Sequence, residues 1–431
     1  MTASPVIAFV GMSHLGINSA AASASRGFVT ICFDICSETI CRLRGGDPIV
    51  VEPELKKVLL ESKKNISFTD IPRDLYEADV IYISIDVPTD SEGNSELDIF
   101  NPLFKIIREH KNHLATVVIL SQVPPGFCRP LNKSMPTLVY QVETLVFGQA
   151  VDRALNPERI IIGLGSAKNR LAKKFQFFLE SFNCPLLVMD YESAELSKIA
   201  INCCLVSSIS VANTLSEICE NVGAVWSDIV PALQLDKRIG KFSYLKPGLG
   251  IAGGNLERDL NTVMRLGEAH STDVKVVEAW MSNSKHRLNW VIAQLNRIFP
   301  KNLKEIKIAV WGLTYKENTH SLKNSPSIAV IKQLDCSNLV AFDPVITSQH
   351  QIDFKCKLAN DPMEALNGAQ CLMILTPWQC FKDINVFDVI NAMPNQVVID
   401  PYAIFDNNDF DKTAVSYCTL GLPHEDIKAR Q

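Results

Sequence analysis

The chain opens on an apolar run, Val6-Ile-Ala-Phe-Val10, which breaks at the turn Gly11-Met-Ser-His-Leu-Gly16 and continues into small residues from Ile17 to Ser25. A second apolar run, Phe28-Val-Thr-Ile-Cys-Phe33, ends in Asp34. Apolar runs of strand length flanking a helix-compatible stretch predict a strand, tight turn, helix and strand within the span of one βαβ unit, with an acid closing the second strand. Further strands are predicted at Val80-Ile-Tyr-Ile-Ser-Ile85 and Thr116-Val-Val-Ile-Leu120, each running into a loop rich in Pro or Ser. In a doubly wound sheet such loops at strand C-termini line the ligand crevice.

The pattern changes after Asp190. From Tyr191 to Gly223 there is no internal Pro or Gly, and apolar residues recur at helical spacing, which predicts one long helix. Lys198 and Asn202 lie four positions apart and share a face of it. A solvated face is the usual reading of an isolated lysine, and Asn213 and Glu217 farther along do not separate it from a functional one. More helix follows Leu256, with little interruption until Phe299-Pro300. A second α/β pattern then begins: Ile306-Lys-Ile-Ala-Val-Trp311 before Gly312, Leu339-Val-Ala-Phe342 before Asp343-Pro344, Cys371-Leu-Met-Ile-Leu375 before Thr376-Pro-Trp378, and Val397-Val-Ile-Asp400. Two α/β units separated by a helical connector lead us to expect a ligand cleft between domains.

Composition adds limits. With 431 residues, 47% hydrophobic and 21% charged, the chain can bury a large core and divide into two or three domains. A formal charge of −5 gives no global pull toward nucleic acid. The N-terminus runs into a strand pattern without a basic leader region, and no uninterrupted apolar stretch has spanning length, so no membrane attachment is expected. The 13 cysteines are scattered and lack metal-ligand spacing; Cys203-Cys204 is an adjacent pair on a helix. Reduced thiols in a cytoplasmic compartment, and no metal site, are the expectation.

Candidate chemistry starts at the first turn. Backbone amides at the helix start after Gly11 and Gly16 can receive a pyrophosphate, and a carboxylate at Asp34 can accept hydrogen bonds from an adenosine ribose. The same carboxylate would repel a ribose phosphate, which favours NAD over NADP. Ser13 stands where a dinucleotide turn carries its middle glycine, narrowing the room for backbone to approach the pyrophosphate.

The order and spacing of further motifs resemble the UDP-glucose/GDP-mannose dehydrogenase family from Val6 to about Asp406. They comprise Val87-Pro-Thr89 with Gly93 and Asp98, Ser121-Gln-Val-Pro124, Glu143, Gly148, Asn156-Pro-Glu-Arg159, Glu195-Leu-Ser-Lys-Ile-Ala200 and Asn202. They continue through Arg238-Ile-Gly240, Pro247-Gly248, Gly253-Gly254, Arg258-Asp259, Tyr315-Lys316, Ser325-Pro326, Asp343-Pro344 and Trp378. The resemblance implies an α/β fold of two Rossmann-like doubly wound domains joined by a long central helix and a helical dimerisation region. It places an NAD-binding domain at 1–190, the central region at 191–300 and a nucleotide-sugar domain at 301–431, with a homodimer built around the helix. Lys198 matches the catalytic lysine, Asn202 a substrate-orienting asparagine, Asp259 an aspartate that assists water and proton movements, and Glu143 a glutamate of the reaction centre. Arg238 matches an arginine delivered across the dimer interface and Lys316 a sugar-nucleotide contact. Cofactor contacts are further implied for Pro88, Thr89, Ser121, Gln122 and Lys323, and substrate contacts for Tyr244, Lys246, Gly250 and Tyr402.

The chemistry agrees with these residue types. Taking a hydride from an alcohol requires loss of its proton, stabilisation of a developing alkoxide and alignment with a nicotinamide ring. An ammonium can stabilise the oxyanion, a carboxylate-bound water can relay the proton, and cationic Arg238 and Lys316 can hold a diphosphate.

The departures from the family pattern fall on contact residues. In Gly250-Ile-Ala-Gly-Gly-Asn-Leu-Glu-Arg-Asp-Leu260 the family carries a cysteine where this chain has Asn255. A thiolate can trap a sugar aldehyde covalently and carry the alcohol on to an acid; a neutral carboxamide cannot. Gln122 replaces threonine, Val142 proline, Lys323 arginine, and Tyr402 the arginine of an Asp-x-Arg motif. The leading expectation is therefore an NAD-dependent oxidoreductase of a nucleotide sugar or related phosphorylated hydroxyl compound, making one two-electron oxidation. The alternatives are a noncatalytic NAD or nucleotide-sugar binding regulator, and a complete four-electron oxidation using water directly. Cys128 is a candidate substitute thiol, with a buried structural cysteine as the expected reading.

Overall fold

The computed structural model describes residues 4–90, 93–334, 336, 338–347, 356–393, 396–411 and 413–423. The chain divides into two compact units, Met1–Ile201 and Asn202–Gln431.

In the first unit, β1 (Ile7–Val10), β2 (Thr30–Phe33), β3 (Ile66–Thr69), β4 (Val80–Ile83), β5 (Thr116–Ile119), β6 (Leu138–Gln141), β7 (Ile160–Leu164) and β8 (Leu186–Asp190) form one sheet in the order β3-β2-β1-β4-β5-β6-β7-β8. Neighbours run parallel except β6 and β7. The central strands read as continuous apolar runs because both faces are buried. Ile7, Phe9 and Tyr82 point into one core cluster while Ala8, Val10, Ile81 and Ile83 point into the other, the alternation a strand imposes. Phe9 stacks on Tyr82 with ring centroids 4.9 Å apart, and the Tyr82 hydroxyl donates to Gln141 Oε1 at 2.8 Å.

The helix after the first turn begins at His14, earlier than the run starting at Ile17 suggests, and ends at Ser25. Its alanines and glycine are buried because the helix lies close on the sheet. β3, β6, β7 and β8 are absent from the sequence reading. The outer strand β3 alternates apolar and polar residues, which weakens its apolar-run signal, whereas β8 carries the apolar run Leu186-Leu-Val-Met189 that the reading passed over.

The second unit has a six-stranded sheet: β9 (Ile308–Trp311), β10 (Leu339–Phe342), β11 (Lys357–Leu358), β12 (Cys371–Ile374), β13 (Val397–Ile399) and β14 (Ser416–Cys418), ordered β11-β10-β9-β12-β13-β14. All its described pairings are parallel. The helical stretch after Leu256 is two helices, Asn255–His270 and Lys275–Ile298. Between them Ser271 takes a left-handed conformation (φ 54°) at the helix end. A Cβ added at Gly267 would stand 2.3 Å from Val274 Cγ1, so the reversal needs glycine there.

The predicted long helix spans Tyr191–Val222. Although no uninterrupted apolar stretch marks it, this helix alone among the described residues is long and apolar enough to cross a bilayer by length and composition. Its polar side chains are bonded to protein instead: Glu195, Asn202, Asn213 and Glu220 are all buried, and each holds a partner on another segment.

Trp311 is fully buried, stacks on Phe381 at 5.1 Å and donates its indole N–H to the Pro362 carbonyl. Trp311→Ala should therefore destabilise the second unit by about 3–5 kcal/mol. Denaturant unfolding followed by circular dichroism checks this; a loss under about 1 kcal/mol would contradict the packing.

Candidate functional site

The first βα turn is built for close backbone approach. Gly11 has φ +95°, and a Cβ on it would come within 2.2 Å of Ile85 Cγ2; one on Gly16 would stand 1.9 Å from the Gly11 carbonyl oxygen. Asp34 at the end of β2 accepts the Met12 amide at 2.7 Å and the Cys36 amide at 2.8 Å, which ties the acid to the turn. The Ser13 hydroxyl points back to β4, donating to the Ser84 carbonyl and accepting from the Asp86 amide, both at 3.0 Å. It therefore spends its polar capacity inside the protein. Tight glycines, a helix start and an acid on the second strand fit a dinucleotide.

Three residues of this region were not singled out from the sequence. The His14 ring stacks on Phe147 at 3.9 Å, and its Nε2 lies 2.8 Å from Glu52 Oε2. Glu52 also accepts the amides of Gly148 at 3.1 Å and Ala150 at 2.7 Å. Burial pushes the Glu52 carboxyl up, but the bonds from His14, Ala150 and Gly148 more than offset this, leaving its pKa below the ordinary value. Asp86 accepts the His14 amide at 3.1 Å. These contacts join residues dozens of positions apart, and no local pattern announces them.

Among the other candidate cofactor positions, Ser121 is buried with its hydroxyl on the Ile83 carbonyl at 3.3 Å, and Gln122 beside it is half-buried. The Pro88 carbonyl accepts the Glu96 amide, and Thr89 bridges to Ser95. Lys323 is exposed in the second unit, its amide on Ser321 Oγ.

Lys198 and Asn202 are not on a solvated face. The Lys198 side chain is 13% exposed, with Nζ 3.1 Å from Glu143 Oε2, while the other Glu143 oxygen accepts the Leu145 amide. One turn before Lys198, Glu195 is fully buried and accepts the amides of Gly126 at 2.6 Å and Cys128 at 2.8 Å, anchoring the loop after Ser121 to the helix. In the second unit, Asn202 Nδ2 donates to Asp259 Oδ2, and Arg258 Nε approaches Asp259 Oδ1 at 3.3 Å. Asp259 and Arg258 are both buried, so the carboxylate is held between an amide and a guanidinium.

Asn255 is the first residue of the helix carrying Asp259 and lies one turn before it on the same face. Asn255 is exposed. The preceding loop is fixed: the Ile251 amide donates to Ser284 Oγ at 2.7 Å, and a Cβ on Gly250 (φ +93°) would come within 2.5 Å of the Ser284 carbonyl. A Cβ on Gly253 would press on the Tyr315 ring at 2.9 Å. Two thiols elsewhere in the chain, Cys128 in the first unit and Cys203 in the second, have raised pKa values. Burial pushes the Cys128 thiol well up, with Glu195 adding to the effect. Burial also raises Cys203, helped by Asp259.

The substrate-side candidates separate into groups. Asp400 accepts the amides of Tyr402 at 3.1 Å and Ile404 at 2.7 Å and the Tyr417 hydroxyl at 2.8 Å. Burial and then Asp400 push the Tyr402 phenol up. Lys246 feels the same carboxylate: its pKa is lowered, first by loss of solvent, with Asp400 opposing, Lys382 adding and Glu317 opposing. Lys316 Nζ lies 5.7 Å from the Tyr315 ring centroid. Arg238 is bound bidentately to Asp236, at 3.0 and 2.6 Å, with its side chain 89% exposed. Tyr244 is exposed.

Comparison with known proteins agrees with this arrangement along the whole chain. Residues 6–178 match the NAD binding domain of the UDP-glucose/GDP-mannose dehydrogenase family, residues 192–285 its central domain and residues 309–407 its UDP binding domain. The chain is 28% identical to a UDP-glucose 6-dehydrogenase of Rickettsia conorii, over 96% of this chain and 99% of that one. It is 27% identical to one of Bacillus subtilis, over 97% and 93% respectively. Its fold is shared with a UDP-glucose dehydrogenase from Pyrobaculum islandicum (TM-score 0.83, 22% identity, 96% of this chain and 97% of that one). It is likewise shared with a UDP-D-ManNAc dehydrogenase from Pyrococcus horikoshii (TM-score 0.82, 21% identity, 96% and 99%). The chain belongs to the UDP-glucose/GDP-mannose dehydrogenase family and is an NAD-dependent dehydrogenase of a CH–OH donor, with its NAD-binding, central and UDP-binding domains in that order.

Proposed function

We propose that the protein oxidises a nucleotide-linked sugar by a single two-electron step, releasing a carbonyl product. The observation that supports this most is Asn255 at the start of a helix whose Asp259 retains its amide and guanidinium partners. In support, Asn202 and Asp259 are paired, the position that would supply a thiolate carries a carboxamide, and burial raises the pKa of the Cys203 and Cys128 thiols.

In this reading the Gly11-to-Gly16 turn holds the pyrophosphate of NAD and Asp34 its ribose. NAD, when bound, accepts the hydride. Lys198 stabilises the alkoxide that develops as the hydroxyl proton leaves, and Glu143 keeps the ammonium in place. Asn202 orients the substrate, and Asp259 takes up the hydroxyl proton through water. The C–H pair leaves as hydride, the O–H proton passes to solvent, and an alcohol becomes an aldehyde or ketone. Asn255 can donate a hydrogen bond to that carbonyl but forms no bond to its carbon. On the substrate side, Lys316 and Arg238 supply charge for a diphosphate. Tyr402, in place of an arginine, removes a cation and alters which sugar or base is preferred.

A homodimer accompanies this reading. Val211, Leu215, Ile218 and Val222 on the long helix are 40–68% exposed. They recur at spacings of four, three and four, one continuous apolar stripe along the helix. A second copy would cover it, and Arg238 would complete the partner's site.

Three outcomes are expected. Lys198→Ala should lower turnover roughly 10²- to 10³-fold, measured as NADH formation on a panel of nucleotide sugars; undiminished turnover would remove the lysine from the mechanism. Reaction in the presence of hydroxylamine should yield an oxime of the product by mass spectrometry, with no adduct on the intact protein; an acid as the sole product would overturn the single oxidation. Ile218→Asp should convert a dimer to a monomer in light scattering at micromolar concentration, and a monomeric, fully active unmodified protein would refute the dimer.

A further inference from the structure

Asp86 lies just beyond β4, and its carboxylate already occupies part of the cofactor turn. The His14 amide is the first of the dinucleotide helix, a group that faces a bound pyrophosphate in such turns. Here Asp86 Oδ2 accepts it at 3.1 Å. Ser13 caps the helix with no side-chain bond of its own. Its hydroxyl instead accepts the Asp86 amide at 3.0 Å while donating to the Ser84 carbonyl at 3.0 Å. The residue that replaces the middle glycine is thus the latch that holds Asp86 in position. The arrangement places an acidic group at the positive end of a helix that must also receive an anion.

We infer that Asp86 is a built-in competitor for the cofactor's pyrophosphate: it holds the His14 amide and weakens NAD binding through its negative charge. The charged groups facing it are His14, which attracts it, and Glu143, which repels it. His14 is itself paired with Glu52, and Glu143 with Lys198. Asp86 is an exposed residue, yet the crowding around its carboxylate makes loss of solvent the dominant influence and raises its pKa. The sign follows. A bound pyrophosphate disfavours the carboxylate further, so NAD binding takes up a proton and tightens as pH falls through the Asp86 pKa. Removing the Asp86 charge isolates its contribution to that pH dependence.

The test is calorimetric titration of the whole protein with NAD, using the unmodified chain, Asp86→Asn and Asp86→Ser, at two pH values and two salt concentrations. Both variants keep an acceptor for the His14 amide and drop the charge, and thermal melting confirms that each is folded. The dissociation constant should fall roughly fivefold in Asp86→Asn at low salt, the size of one close like-charge contact in water. The advantage should shrink at high salt, and the pH dependence should flatten. Unchanged or weaker NAD binding in both folded variants would overturn the inference and make the carboxylate a spectator or a ligand of the cofactor. NAD binding by no form, the unmodified chain included, would overturn this inference together with the assignment of the turn.

Discussion

The constraint on which the site depends is that a long, mostly apolar helix must carry polar side chains without leaving them unpaired. Glu143 does this for Lys198 and Asp259 for Asn202. A buried polar group without a partner is costly, so each pairing fixes its side chain's direction as firmly as packing fixes a core residue. Glu195 extends the same arrangement one turn back, where its carboxylate gathers the Gly126 and Cys128 amides and ties the loop after Ser121 to the helix. The geometry of these polar side chains is therefore set by which carboxylates the surrounding segments deliver to the helix.

Seen in that way, the departures from the family pattern are selective. Lys198 is paired with Glu143 and Asn202 with Asp259, as the proposed mechanism requires, while Asn255 stands where the family carries a cysteine. Ser13 shows that a substitution can be absorbed: its hydroxyl turns inward to Ser84 and Asp86. Tyr402 differs in kind, because a neutral phenol, its pKa raised by loss of solvent and then by Asp400, stands where the family has a cation.

Much of the fold was legible because buried parallel strands are apolar from end to end. β1, β2, β4, β5, β9, β10, β12 and β13 follow the runs in the sequence within a residue or two. The outer β3, which alternates apolar and polar residues, and the short β11 and β14 gave no such run, while the apolar Leu186-Leu-Val-Met189 of β8 was passed over. The helix break at Ser271 escaped detection because it depends on Val274 closing over Gly267, a contact that spacing does not encode. Of the site, positions carrying a motif could be marked in advance. His14, Glu52 and Asp86 could not, since each matters through a partner brought to it by the sheet. For Lys198 and Asn202 the residue pattern left a solvated face open, and only the family motif marked them; their partners Glu143 and Asp259 lie far away in sequence.

The central claim is that this dehydrogenase stops after one oxidation. The most direct measurement is the ratio of NADH formed to nucleotide sugar consumed at completion, with excess NAD and the unmodified protein. The account predicts a ratio of about one, as befits a two-electron step without a covalent intermediate. A ratio of about two, with an acid as product, would show that Asn255 does not limit the reaction and would contradict it.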